Sequence, residues 1–305
     1  MRLIFFGEVK NILKSTNLSK MFNFEIRDEI TADDINKYSS TFIIDALNPS
    51  TKDLFEVFDL DRQDDALYYK AKITQQKNHP YSDGGFHLSA ITATEIILSV
   101  VNTELSGFIK GFRLVEHQIN CEATVRSKEP HFRVKAEALS TDIMLVHFNV
   151  EESSYFGSLK FFRLSNSTMA SGLATPAYQA NGLAIKGAKL DGKKLSAKIE
   201  MHPQKNYPLE FDVSPCLLLS VLSQLFIVQL YAISTANEKQ SGVVLIRSII
   251  SWDFFVQPLH FCGVNMEVSK LRLSESKKNH VIAEVDFAGD SRGFSGNALY
   301  FFEPM

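Results

Sequence analysis

A short string occurs twice in this chain. Gln76-Lys77-Asn78-His79-Pro80-Tyr81 precedes an apolar run, and Gln204-Lys205-Asn206-Tyr207-Pro208-Leu209, at an offset of 128, precedes another. Upstream, Ala71-Lys72-Ile73 returns as Ala197-Lys198-Ile199 at an offset of 126, which implies two extra residues in the second copy. Downstream, Gly157-Ser158-Leu159-Lys160-Phe161-Phe162 is echoed by Gly296-Asn297-Ala298-Leu299-Tyr300-Phe301-Phe302. Any one of these matches could arise by chance in 305 residues. Their shared order argues for an internal duplication, so whatever the first half folds into, the second half must fold into as well.

Each copy reads the same way. The first opens with a strand from Ala66 to Thr74, followed by a loop from Gln75 to His87 that holds Pro80 and Gly84-Gly85. Ser89 to Leu105 then reads as a helix whose apolar residues spread round most of its circumference, the pattern of a buried helix and not a surface one. Strand-like runs follow at Phe112 to Val125, His131 to Leu139, Ile143 to Glu151 and Tyr155 to Leu164. The second copy gives a strand from Ala184 to Met201, a loop from His202 to Pro215 and a helix from Cys216 to Ser234. Its strand-like runs are Val243 to Phe255, Val264 to Leu273, His280 to Phe287 and Phe294 to Phe302. Between the copies, Ser165 to Asn181 is rich in Ser, Thr, Ala, Gly and Asn and serves as a linker. The division is therefore 1–165, a first repeat with an N-terminal extension; 166–183, linker; and 184–305, a second repeat. Within the extension, Leu3 to Phe6 and Tyr38 to Ala46 read as strands and Thr31 as a helix cap, while the acidic stretch Asp59 to Asp65 reads as a solvated loop.

A buried helix needs a wrapping, and a curved antiparallel sheet supplies one. The expected fold is α+β, a tandem or double hot dog in which two antiparallel sheets each wrap one long buried helix and join edge to edge. An unrelated pair of α+β domains is the generic alternative.

Composition narrows the function classes. The hydrophobic fraction of 45% supplies a full core, and a net charge of -3 leaves no basic footprint for nucleic acid or an anionic membrane. The longest apolar run, Cys216 to Tyr231, is interrupted by Ser220, Ser223, Gln224 and Gln229 and falls short of a membrane span. The apolar start Met1 to Gly7 is too short for a signal peptide. Three scattered cysteines make neither a disulfide framework nor a zinc site, which points to a reducing cytoplasm. The sequence holds no Gly-rich phosphate loop, Gly-x-Ser-x-Gly elbow or His-Glu-x-x-His.

The loop and helix carry a family resemblance. His79-Pro80-Tyr81-Ser82-Asp83-Gly84-Gly85 followed by a helix with Glu95 resembles the hot-dog hydroxyacyl-ACP dehydratases and, more, the double hot-dog A-factor synthases. Phe86-His87-Leu88-Ser89-Ala90-Ile91-Thr92-Ala93, together with Phe5-Phe6-Gly7 and Gly157-Ser158-Leu159, is most similar to the avirulence D protein family. That likeness implies acyl transfer or condensation of a β-ketoacyl thioester with a small polyol or sugar, in signal or secondary-metabolite biosynthesis. The thioester would arrive as acyl-CoA or on an acyl carrier protein, with no bound cofactor and no metal; a homodimer is left open.

The candidate chemistry sits in the same stretch. His79 can act as a base on an acyl α-carbon or a hydroxyl, or can be a loop histidine bonded to a carbonyl. Gly84 and Gly85 allow close backbone approach to a ligand at a helix N-terminus, or make a plain tight turn. Glu95 is a catalytic candidate; it also fits a capping box from Thr92 if the helix begins a turn later. His87 is a second polar group before the helix. In the dehydratase geometry His79 faces the second helix, with Ser220, Ser223 and Gln224 but no acid, while Glu95 faces Tyr207, which replaces His79 in the second loop. No complete His–acid pair results, which argues against dehydration and leaves a non-catalytic acyl-binding protein as the alternative.

Overall fold

The computed structural model describes residues 54–75, 86, 88–163, 183–191, 194–201, 244–252, 261–274, 280–289 and 293–302, with the helical positions 219, 222, 223, 225, 226 and 229. In the first half the chain runs β1 (Leu54–Gln63), β2 (Ala66–Gln75), α1 (Ala90–Glu104), α2 (Ser106–Ile109), β3 (Phe112–Cys121), β4 (His131–Ala138), β5 (Ile143–Val150) and β6 (Tyr155–Arg163). The second half supplies β7 (Leu183–Asp191), β8 (Lys194–Met201), β9 (Val244–Trp252), β10 (Phe261–Leu273), β11 (Val281–Gly289) and β12 (Phe294–Phe302).

All twelve strands form one antiparallel sheet in the order β1-β2-β4-β5-β6-β3-β9-β12-β11-β10-β8-β7. Read inward from either edge, the order is the same, so the two halves meet at β3 and β9 about a pseudo-twofold axis. Register confirms the equivalence residue by residue. Phe148 pairs with Gly157, which faces the backbone of Gln118; Phe287 pairs with Gly296, which faces that of Ile249. A β-carbon on Gly157 would stand 1.9 Å from the Gln118 carbonyl oxygen and 2.7 Å from Phe148 Cζ. On Gly296 the matching distances are 2.0 Å to the Ile249 oxygen and 2.8 Å to Phe287 Cζ. Gln118 and Ile249, equivalent residues, also pair with each other across the seam, so the axis runs through that pair.

The sheet joins what the sequence reading set out as two sheets, and it corrects four details. Asp59 to Asp65 is not a loop: most of it belongs to β1, and Asp64 and Asp65 make a two-residue hairpin with φ of 44° and 66°. Aspartate tolerates that left-handed region. The expected single strand from Ala184 to Met201 is a hairpin, closed where Asp191 pairs with Lys194. The Ala-Lys-Ile match is slipped by two. Leu67 opposite Val134 corresponds to Leu195 opposite Met266, so β2 and β8 share the offset of 128 found in the next string, and no extra residues are needed. A slip of two keeps every side chain on its own face, which is why the false match looked convincing. Finally, the capping-box reading of Glu95 falls: Ser89 is the N-cap, its hydroxyl accepting from Thr92 N–H at 3.0 Å. The predicted strands at Leu3 to Phe6 and Tyr38 to Ala46, and the helix start at Thr31, lie outside the described residues.

Helix α1 is covered almost all round. Ala90, Ala93, Ile96, Ile97, Val100 and Val101 are buried, and no residue from Ala90 to Asn102 is exposed. It shares one core with the inward residues of β2 to β6, including Tyr69, Phe132, Phe148, Leu159 and Phe161. In the second half Leu219, Leu222, Leu225 and Phe226 are buried at helical spacing. The inward face of the sheet is continuous across the seam through His117, Ile119, Ser248 and Ile250, all fully buried. Both helices lie on this face, since α1 contacts His117 and the second helix contacts Tyr300.

Candidate functional site

Helix α1 is fixed at its start. The residue before the cap, Leu88, donates its N–H to the Val125 carbonyl oxygen at 2.8 Å, and its own carbonyl accepts from the Tyr155 hydroxyl. Tyr155 opens β6, so the hydroxyl links the sheet to the point where the loop becomes helix. Ser89 Oγ takes the Thr92 N–H and the Ser89 carbonyl takes the Ala93 N–H, which leaves Ala90 and Ile91 as the donors at the positive end of the helix dipole. The equivalent of Tyr155 in the second half is Phe294, at the same place opposite β9 as Tyr155 holds opposite β3. The second half therefore has no hydroxyl there.

Of the residues singled out from sequence, Glu95 and Ser223 are described. Glu95 is half-buried on the α1 face it shares with Ile91, Leu98, Ser99 and Asn102, turned away from its buried neighbour Thr94. Ser223 Oγ lies 3.3 Å from the Tyr300 hydroxyl, on which Phe226 also stacks with ring centroids 4.3 Å apart. His79, Gly84, Gly85, His87, Tyr207, Ser220 and Gln224 lie outside the described residues. Among the described residues, no three acidic, histidine or cysteine side chains gather as a metal site. No helix among them is long and apolar enough to cross a membrane.

The structure adds a polar cluster that sequence reading missed. Thr94 Oγ1 donates to the Ala90 carbonyl at 2.8 Å and stands 3.3 Å from His117 Nε2 on β3. With the threonine proton committed to Ala90, His117 Nε2 is the donor and the neutral imidazole keeps its lone pair on Nδ1. Burial alone lowers the His117 pKa from 6.5 to about 3, so the ring stays neutral through ordinary pH. Burial raises that of Tyr300 to about 12, against the opposing effect of the hydrogen bond with Ser223, and so keeps its hydroxyl protonated. An offset of 129 lays the buried α1 positions Ala90, Ala93, Ile96, Ile97 and Val100 on Leu219, Leu222, Leu225, Phe226 and Gln229, and so sets Thr94 on Ser223. The strand equivalents are His117 with Ser248 and Phe161 with Tyr300. The halves thus repeat the positions of the cluster but not its chemistry.

No family model matches the sequence, and no curated protein sequence does. Solved structures are similar in fold at low identity. One is the acyl-CoA thioesterase II TesB2 of Mycobacterium marinum, at 11% identity and a TM-score of 0.47 over 81% of this chain and 95% of that one. Another is an acyl-ACP thioesterase of Bacteroides thetaiotaomicron, at 9% and 0.45 over 78% and 98%. A third is a variant of the GphF dehydratase, at 13% and 0.44 over 80% and 96%.

Proposed function

We propose that this chain is a tandem hot-dog protein, divided at 1–165, 166–183 and 184–305, that processes acyl thioesters delivered by CoA or an acyl carrier protein. The observation that carries the reading is the strand order repeated about the seam with both helices on one face, which is how paired hot-dog units are built. The resemblance of the His79-Pro80 loop and of Phe86 to Ala93 to the avirulence D family takes it further, to acyl transfer or condensation between a β-ketoacyl thioester and a small polyol or sugar. The pinned start of α1 supports the first half as the working one. Its N–H groups would polarise the thioester carbonyl, as an oxyanion hole does. His79 would take the proton from the acceptor hydroxyl as its oxygen attacks, and the departing thiolate would receive that proton. Glu95 would orient the acceptor.

Thiol release from a panel of β-ketoacyl pantetheines, with and without glycerol or a small sugar, tests this. Release that needs the acceptor and collapses in His79→Ala is the expected result. Release without any acceptor would mean hydrolysis and overturn the transfer reading. Binding without release, indifferent to His79→Ala, would leave a non-catalytic acyl-binding protein. No binding at any chain length would end the thioester assignment.

A further inference from the structure

At the axis, two buried polar atoms have no hydrogen-bond partner among the described residues: His117 Nδ1 and Ser248 Oγ. They are equivalent residues of the two halves. Because His117 pairs with Ile250 and Ile119 with Ser248, they are diagonal neighbours on the inward face of adjacent strands. Residues so placed lie roughly 7–8 Å apart, with their β-carbons somewhat closer, a separation that one bridging oxygen spans. Both residues are fully buried. A buried group left unsatisfied is costly, and two such residues diagonal to each other on the inward face mark a place where a third group belongs.

The chemistry of that group follows from the tautomer. With Nε2–H directed to Thr94, Nδ1 can only accept, so the group must donate; Ser248 can donate back or accept. A single hydroxyl satisfies both atoms. The walls are apolar: His117 is flanked across the strands by Leu159 and Ile250, and Ser248 by Ile119 and Ala298. A polyol would bring further hydroxyls that these walls leave without partners, whereas a hydrocarbon chain bearing one hydroxyl leaves none. We propose that the seam between β3 and β9 is a subsite for a singly hydroxylated acyl chain, with His117 Nδ1 accepting from its hydroxyl and Ser248 Oγ completing the pair. This rests on the acyl-thioester reading and adds a specificity to it: the site prefers hydroxyacyl over unsubstituted chains.

Calorimetric titration of the full chain tests it, using acyl pantetheines of one length that are unsubstituted or carry a hydroxyl walked along the chain. One hydroxylated member should bind about tenfold more tightly than the unsubstituted one, the worth of a buried hydrogen bond. That preference, read as the ratio of the two affinities within each variant, should vanish in His117→Phe and shrink in Ser248→Ala. Should the larger ring change disturb folding, Ser248→Ala alone decides, since a preference undiminished there overturns the subsite. Equal binding of all chains to the native protein overturns it too, while leaving the thioester reading intact. If no acyl chain binds, both fall. Glycerol binding that depends on His117 would assign the seam to the acceptor and overturn the acyl-chain assignment.

Discussion

His117 shows what one buried side chain does to the stability of the whole. Its pKa falls from 6.5 in the unfolded chain to about 3 in the fold. Below pH 6.5 the unfolded chain binds a proton that the folded one refuses, so this residue's contribution is intact above 6.5 and is lost as the pH drops toward 3. The loss should be on the order of 1–2 kcal/mol between pH 6.5 and 5. Urea unfolding of the native protein and of His117→Gln across that range measures it. The slope of the difference between them should carry the proton, and parallel profiles would contradict a buried neutral histidine. Gly157 makes a harder demand. A β-carbon there meets a backbone oxygen at 1.9 Å, which no rotamer change relieves. Gly157→Ala should cost about 3 kcal/mol or more, as overpacking against a rigid neighbour does. Phe148→Ala should not rescue it, because the carbonyl of Gln118 remains. Gly296→Ala should behave alike, since its surroundings repeat.

At the scale of elements, the start of α1 is the most consequential joint. Removing the Tyr155 hydroxyl leaves the buried Leu88 carbonyl without that donor, at a cost of about 1–3 kcal/mol. Tyr155→Phe should therefore lower the urea midpoint and also slow thiol release, because the helix N-terminus shifts relative to the sheet. Unchanged values of both would show that Tyr155 holds the helix start without its hydroxyl. The helix itself was legible: apolar spacing alone bounds it at Ser89 and Leu105, and the structure has Ala90–Glu104 with those two residues as its caps. Most strands were legible too, β12 to the residue. His117 was not, and the reason is a bulge. Alternation counted from Phe112 puts residues 114, 116 and 118 inside. The register shift between Leu114 and Glu116 turns the strand by one residue, so His117 and Ile119 face the core instead. The shift between Leu299 and Tyr300 opposite β9 hides Ser248 in the same way. Bulges leave little mark in a sequence without a glycine to announce them. The site residues of the His79 loop remain expectations from sequence, and the polar cluster under the helices is visible only in the folded chain.

For the whole molecule, the seam is the decisive interface. Within each half the strands close on their neighbours, but β3 and β9 find their second partners only in each other. An isolated first half, residues 1–165, would expose the edge of β3 from Glu116 to Asn120 and the inward apolar face beside it. An edge of this kind seeks a strand. The best available substitute for β9 is another copy of its own equivalent, β3, because the two already occupy matching places about the axis. The axis passes through the Gln118–Ile249 pair, so a β3–β3 pair in the native register sets Gln118 opposite itself. That dimer would place two copies of His117 where the native chain has His117 and Ser248. Light scattering of residues 1–165 should accordingly report a dimer. A well-folded monomer of residues 1–165 would mean that the seam is dispensable, and the duplication would then describe two domains that merely touch.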